Sequence, residues 1–161
     1  MKFNVSDNKI YGAGAKALAE SLRGNQVMTD LNFANNSLSW IDENHKGLDG
    51  VIAISNAIPT MGALVKIDIS ENMLCAPGTK SIAVALNDNQ VMTELNISGN
   101  YMGWKDYDSE APDMSGVIAI SNAIPTMGAL ASLDLSQNSI PAEEMGPIER
   151  LCESKQIALR K

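Results

Sequence analysis

The chain has 161 residues, 45% apolar but only 4% aromatic, with a formal charge of −7 and a pI near 4.6. That length supports one domain with a largely aliphatic core, and the acidic balance argues against nucleic acid and anionic membranes as partners, because such surfaces gather Lys and Arg on one face. The two cysteines, Cys75 after a strand and Cys152 in a helix, make no disulfide framework, and no segment has the length of a signal sequence or the roughly eighteen apolar residues of a membrane span, so a soluble, cytoplasmic setting is expected.

In chain order, Phe3, Val5, Asn8 and Ile10 form the tail of a pattern that recurs in full downstream. Gly14 to Leu22 follows, with Ala15, Leu18, Ala19 and Leu22 at helical spacing and Lys16, Glu20 and Arg23 off that face, which predicts an amphipathic helix. Met28, Leu31, Phe33, Asn36 and Leu38 make the second copy of the pattern. LVKIDISENML, Leu64 to Leu74, is the third and clearest: Leu64, Ile67 and Ile69 alternate as the inward face of a strand, and Asn72 marks the turn. Met92 to Met102 and Leu130 to Ile140 are the fourth and fifth. A side-chain amide suits the turn because it both donates to and accepts from backbone groups that the bend removes from the ladder.

The turn asparagines, residues 8, 36, 72, 100 and 138, are spaced by 28, 36, 28 and 38. From each of the first four to the next helix block, at Gly14, Gly50, Gly78 and Gly116, the intervals are 6, 14, 6 and 16. The extra residues therefore lie between strand and helix, in inserts at 39–49 and 103–115, while helix and strand are expected to keep their lengths. A second order of repetition sits above the first. NQVMTDLN at Asn25 returns as NQVMTELN at Asn89, and GVIAISNAIPTMGAL at Gly50 returns unchanged at Gly116, so a two-repeat unit has been duplicated.

A 28-residue unit with a strand, an asparagine turn and a helix reading GAKALAESL resembles the ribonuclease-inhibitor-like class of leucine-rich repeats, found in intracellular eukaryotic proteins. The resemblance covers nearly the whole chain. It implies an α/β fold: a right-handed, curved leucine-rich repeat solenoid over residues 1–161, with parallel strands on the concave face, helices on the convex face, and usually a protein as ligand. The physics agrees, since one such unit cannot bury its apolar face alone and stacked copies can. Five parallel strands are expected, with a helix over 142–153 and a shortened sixth strand near 157–159 forming a C-terminal cap over about 142–161. The strand holding Phe3 and Val5 is expected to be an open edge, so that the chain forms a homodimer through it or belongs to a longer parent chain.

The solvent-facing strand positions form two columns. One runs Asn4, Asn32, Asp68, Asn96, Asp134, and its neighbour is mostly serine: this is a ligand surface, or else simply what such repeats use. The outer column, Asp7, Asn35, Glu71, Gly99, Gln137, varies more, so discrimination of a partner on the concave face is expected there. The inserts hold the distinctive chemistry. Trp40 and Trp104 each stand four residues after a turn asparagine, and the two inserts are expected on the same rim, on the order of 10 Å apart. Trp40, Trp104 and Tyr107 are candidate partner anchors. Equally, Ile52 and Ile118 replace Lys16 and Lys80 only where an insert exists, which predicts that Trp40 folds onto Ile52 and Trp104 onto Ile118.

The acids Asp42, Asn44, Asp106, Asp108, Glu110 and Asp113 offer oxygen ligands, but the glycine and glutamate spacing of a calcium loop is absent or half imitated, so no metal or other cofactor is expected. His45 has no neighbouring nucleophile, nothing basic adjoins Cys75, and no phosphate-binding glycine loop occurs. The sequence therefore points to a non-enzymatic module that binds an unidentified protein through Trp40, Trp104 and Tyr107 or through Asp68, Glu71, Asn96, Asp134 and Gln137. The alternatives are a calcium-responsive rim, or a GTPase regulator such as the Ran GTPase-activating proteins that share this repeat class; those regulators have a longer array and an acidic tail, which these residues do not include.

Overall fold

A computed structural model describes residues 1–108 and 111–161. Among the described residues six strands alternate with five α-helices: β1 (Lys2–Asn4), α1 (Tyr11–Leu22), β2 (Asp30–Asn32), α2 (Asp49–Ala57), β3 (Lys66–Asp68), α3 (Cys75–Leu86), β4 (Glu94–Asn96), α4 (Ser115–Ala123), β5 (Ser132–Asp134), α5 (Ala142–Lys155) and β6 (Ala158–Arg160). The strands form one all-parallel sheet in sequence order, and the register pairs Leu31 with Ile67, Ile67 with Leu95 and Leu95 with Leu133. Each crossover is a helix, so the fold is α/β. No helix among the described residues is long and apolar enough to cross a membrane.

Alternation puts Leu31, Ile67, Leu95 and Leu133 on the inner face, with Phe33, Ile69, Ile97 and Leu135 one step on, and all are buried against the helices in a single core. Beyond the strands the chain bends twice around each turn asparagine, which lies between two residues of positive φ: Glu71 (56°) and Met73 (56°) around Asn72, Gln137 (58°) and Ser139 (54°) around Asn138. Side chains other than glycine pay for that region, and only Gly99 (64°) in this column escapes the cost.

The asparagines stabilise the bend. Asn72 Nδ2 donates to the carbonyls of Phe33 (2.9 Å), Ile69 (3.0 Å) and Ser70 (2.8 Å), and its Oδ1 accepts from the N–H of Asn36 (3.0 Å) and Leu38 (3.3 Å). Asn36 and Asn100 repeat the arrangement, so each buried amide ties its own turn to the preceding one. Stacking and turn formation are thus one hydrogen-bonded ladder.

The duplicated blocks meet in the fold. Gln26 Nε2 donates to the Thr60 carbonyl and Gln90 Nε2 to that of Thr126, both at 2.8 Å, which joins NQVMT to IPT in each copy. Helix lengths do not stay constant. Helices α1 and α3 have 12 residues, whereas α2 and α4 have 9 and tighten into single 3-10 turns at Ile58–Thr60 and Ile124–Thr126. Pro59 and Pro125, lacking an N–H, end the α-helical ladder there. The glycines that open the long-repeat helices serve packing: a Cβ on Gly50 would stand 2.6 Å from Gly12 Cα, and one on Gly116 2.9 Å from Ala76 Cα, so α1 with α2 and α3 with α4 form close pairs.

The C-terminal end follows expectation. After α5, Gln156 takes a left-handed conformation and the Ile157 N–H donates to the Cys152 carbonyl (2.8 Å), so that five residues suffice to bring the chain back to β6.

Candidate functional site

Each insert is a small hairpin closed by an antiparallel bridge, Trp40 with Lys46 in the first and Trp104 with Pro112 in the second. Ile41 N–H donates to the His45 carbonyl (2.6 Å) and Lys105 N–H to that of Ala111 (2.7 Å). The hairpins are anchored through the tryptophan backbone: the Trp40 carbonyl accepts from Gly12 N–H (2.6 Å) and the Trp104 carbonyl from Ala76 N–H (2.8 Å). Those donors belong to the first turns of α1 and α3, whose N–H groups have no partner within the helix. Each insert therefore caps the helix of the preceding repeat, and this fixes where its indole points.

That direction is not towards the isoleucines. Ile52 and Ile118 remain 43% and 50% exposed, so the expected cover of Trp40 on Ile52 and Trp104 on Ile118 does not form. Trp40 instead directs Nε1 to Met73 Sδ (3.1 Å). Trp104 stacks on Tyr101, with ring centroids 4.7 Å apart and planes at 26°, and Tyr107 meets Tyr101 edge-on at 5.0 Å. Backbone capping decides the matter, because the hairpin's direction is set by the preceding helix before its side chains choose neighbours.

The two hairpins meet. Lys46 of the first pairs with Asp108 of the second (2.5 Å), and the same ammonium lies 5.5 Å from the Trp40 ring centroid and 5.7 Å from that of Tyr107. A cation between two π-faces and against a carboxylate joins the inserts into one surface. Beneath it is a cavity of about 220 Å³ lined by Ser39, Trp40, Leu48, Met73, Cys75, Pro77 and Tyr107, among others. Cys75 is a buried wall: desolvation, reinforced by the negative charge of Asp106, pushes its thiol up to about 11, so it is not a nucleophile at neutral pH. Ser39 is only 7% exposed, and its Oγ is the one buried side-chain oxygen or nitrogen without a hydrogen-bond partner among the described residues.

The remaining candidates fall into two groups. Glu71 and Gln137 line, with Met73 and Tyr101, an open groove of about 430 Å³ along the turns, continuous with the aromatic rim through Met73. Asp68, Asn96 and Asp134 sit in a trough of about 390 Å³ on the exposed face of the sheet. There each Oδ1 accepts from the serine two residues on, as Asp68 does from Ser70 N–H (3.0 Å) and Oγ (2.6 Å). Asn96 Nδ2 also donates to Asp68 Oδ2 (3.0 Å), and Arg160 pairs with Asp134 (3.4 Å). The adjoining column holds Lys2 with Asp30 (3.2 Å) and Lys66 with Glu94 (2.5 Å), and Glu94 keeps the Lys66 ammonium above its ordinary range.

The insert acids are engaged separately. Asp42 Oδ1 accepts from the N–H of Asn44 and His45 and lies 2.9 Å from His45 Nδ1, which holds its carboxyl below the usual range. Asp113 caps Ser115 N–H (2.9 Å). No group of three or more metal-ligating side chains occurs among the described residues, and Glu110 lies outside them.

Met73, Tyr101, Lys46 and Ser39 complete the site without having been candidates. A signal for two of them was present: in the position after each turn asparagine, Lys9, Ser37, Met73, Tyr101, Ser139, large uncharged side chains occur only in the third and fourth repeats. No protein-family model matches the chain.

Proposed function

We propose that this chain is a leucine-rich repeat solenoid of the ribonuclease-inhibitor-like kind, acting in the cytoplasm as a non-enzymatic module that binds another protein through the rim made by its two inserts. The observation that carries the proposal is Lys46, which pairs with Asp108 and lies against both Trp40 and Tyr107, so that two separate inserts present a single aromatic surface. Aromatic side chains flanked by charges are what interface hot spots use, because they bury much area at low entropic cost. The solenoid assignment rests on the repeated motif, the in-order parallel sheet and the asparagine ladder. Two free, buried cysteines fit a reducing compartment.

The sheet face is the weaker docking surface. Its charges are already matched, so a partner would have to break those pairs and desolvate the groups before gaining anything. The test is quantitative binding to partners captured from the native source, comparing wild type with the Trp40→Ala/Trp104→Ala double variant and with Lys66→Ala/Asp134→Ala. Loss of binding in the first and retention in the second supports the rim. The reverse pattern sinks it.

A further inference from the structure

Strand β1 has one neighbour in the sheet, β2, and its other side is open. In the inner repeats the carbonyls of Asn32, Asp68, Asn96 and Asp134 accept N–H groups of the preceding repeat, so the alternation of a parallel ladder turns the N–H and C=O of Asn4, their counterpart, outwards. The Oδ1 atoms of Asn36, Asn72, Asn100 and Asn138 likewise accept from the preceding turn, whereas Asn8 donates its Nδ2 to the Val5 and Ser6 carbonyls and its Oδ1 has no partner among the described residues. Phe3, Val5, Leu18 and Leu22 are partly exposed, although their counterparts Leu31, Phe33, Ile54 and Ile58 are buried. One further strand would answer all of these groups.

Charge decides what that strand must carry. Along the register Lys2, Asp30, Lys66, Glu94 the sign alternates from strand to strand, so Lys66 lies between two acids. Among the described residues Lys2 pairs with Asp30 alone (3.2 Å), and its side chain is 80% exposed against 42% for Lys66. Residues 1–24 hold four basic side chains and two acidic ones, while the rest of the chain holds eight and seventeen. This end is therefore cationic on an acidic protein, which favours an acidic occupant over a second copy brought in by the same end. The opposite edge, β6, places Ala158 in that column and offers no such charge.

We propose that the β1 edge binds an extended acidic segment of a partner protein, added as a parallel strand that reads acid, apolar, polar, apolar. Its acid lies beside Lys2, its apolar residues lie beside Phe3 and Val5, and its N–H groups reach the Asn4 carbonyl and Asn8 Oδ1. Main-chain bonds supply the affinity and the alternate side chains the selectivity, as in other strand additions. The parallel sense follows from Asn8, which stands past the C-terminal end of β1, where each inner turn asparagine receives the N–H groups of a parallel neighbour. No existing pair is broken: Lys2 keeps Asp30 and gains a second carboxylate, as Lys66 already has. This site is separate from the insert rim and does not depend on it.

The test uses the full chain, isotope-labelled, with an end-capped peptide of sequence TELNISGN, that of residues 93–100, and the same peptide carrying lysine in place of its glutamate. Saturable shifts at the backbone amides of residues 2–8 and slowed hydrogen exchange at the Asn4 amide are expected. The glutamate peptide should bind about fivefold more tightly than the lysine peptide, because one places opposite and the other like charge beside Lys2, and the ratio should shrink with salt. Lys2→Ala should bring the ratio close to one while both peptides still shift Asn4, which shows that the edge is intact. Trp40→Ala/Trp104→Ala should leave the peptide affinities unchanged. Absence of shifts at residues 2–8, equal affinities in the wild type, a ratio that survives Lys2→Ala, or loss of peptide binding in the tryptophan variant overturns the proposal. So does sedimentation of the peptide-free chain as a dimer whose Asn4 amide is already protected, since a second copy then occupies the edge.

Discussion

On the exposed face of the sheet each charged side chain is answered by a neighbour, Lys2 by Asp30, Lys66 by Glu94, Asp134 by Arg160, and Asp68 takes a proton donor from Asn96. On the insert rim, by contrast, Tyr107 is exposed, Trp40 and Trp104 are half-buried, and Ser39 Oγ lacks a partner among the described residues. The two regions look equally polar in sequence. They differ in what a partner meets: a row of matched polar groups on the sheet, and on the rim aromatic rings around the single Lys46–Asp108 pair. Polar content therefore says less about binding capacity than whether the polar groups are already satisfied.

Both regions stand on the asparagine ladder, and the largest effect comes from removing it. Asn72→Ala leaves three carbonyls and two N–H groups without their buried partner, and is expected to cost at least about 3 kcal/mol, read by urea unfolding. If that variant unfolded at the wild-type midpoint, the ladder would not be what holds the two regions in place.

Trp40→Ala/Trp104→Ala separates the regions more sharply. It should weaken partner binding by about 2 kcal/mol or more for each true anchor, while far-ultraviolet circular dichroism stays unchanged because the capping contacts use backbone carbonyls. The matched substitutions on the sheet face, Lys66→Ala with Asp134→Ala, should alter affinity by less than about 0.5 kcal/mol. Similar losses from both sets would show that sheet face and rim contribute alike to binding.

Asp108→Asn gives a smaller effect. The exposed pair with Lys46 contributes about 1 kcal/mol or less to stability, so unfolding should hardly change. The Trp40 signal should nevertheless shift, since the ammonium over its ring loses the carboxylate that holds it. An unmoved Trp40 resonance would show that the hairpins are aligned without this bridge.

The smallest effect is on pH. The Cys75 thiol ionises at about 11 in the fold against 9.0 for the unperturbed group, because burial disfavours the thiolate. The unfolded chain therefore releases its proton first, and stability is full below pH 9 and declines from there to about 11. Cys75→Ala should flatten this decline, and native Cys75 should alkylate far more slowly than the denatured chain at pH 8.

Much of the fold was legible in the residues themselves. The period of 28, the turn asparagines and the alternation of Leu, Ile and Phe determine strand, bend and helix in order, because each is a local demand: a face to bury, a bend to satisfy, a turn to continue. The position of the inserts, between strand and helix, was legible for the same reason, and so was the sixth strand, from the shortened run between Cys152 and Ile157. Where the inserts point was not. The pairing of Ile52 and Ile118 with inserts suggested cover, but the direction of each hairpin depends on N–H groups of the preceding helix, at Gly12 and Ala76, which lie 28 residues upstream of the tryptophans that cap them. Likewise Lys46 meets Asp108 only because one short repeat places the two hairpins side by side, and Ser39 is left unpaired only because its surroundings are supplied by residues near 48, 73 and 107. Local sequence decided which groups need partners; stacking of the repeats decided which partners they meet.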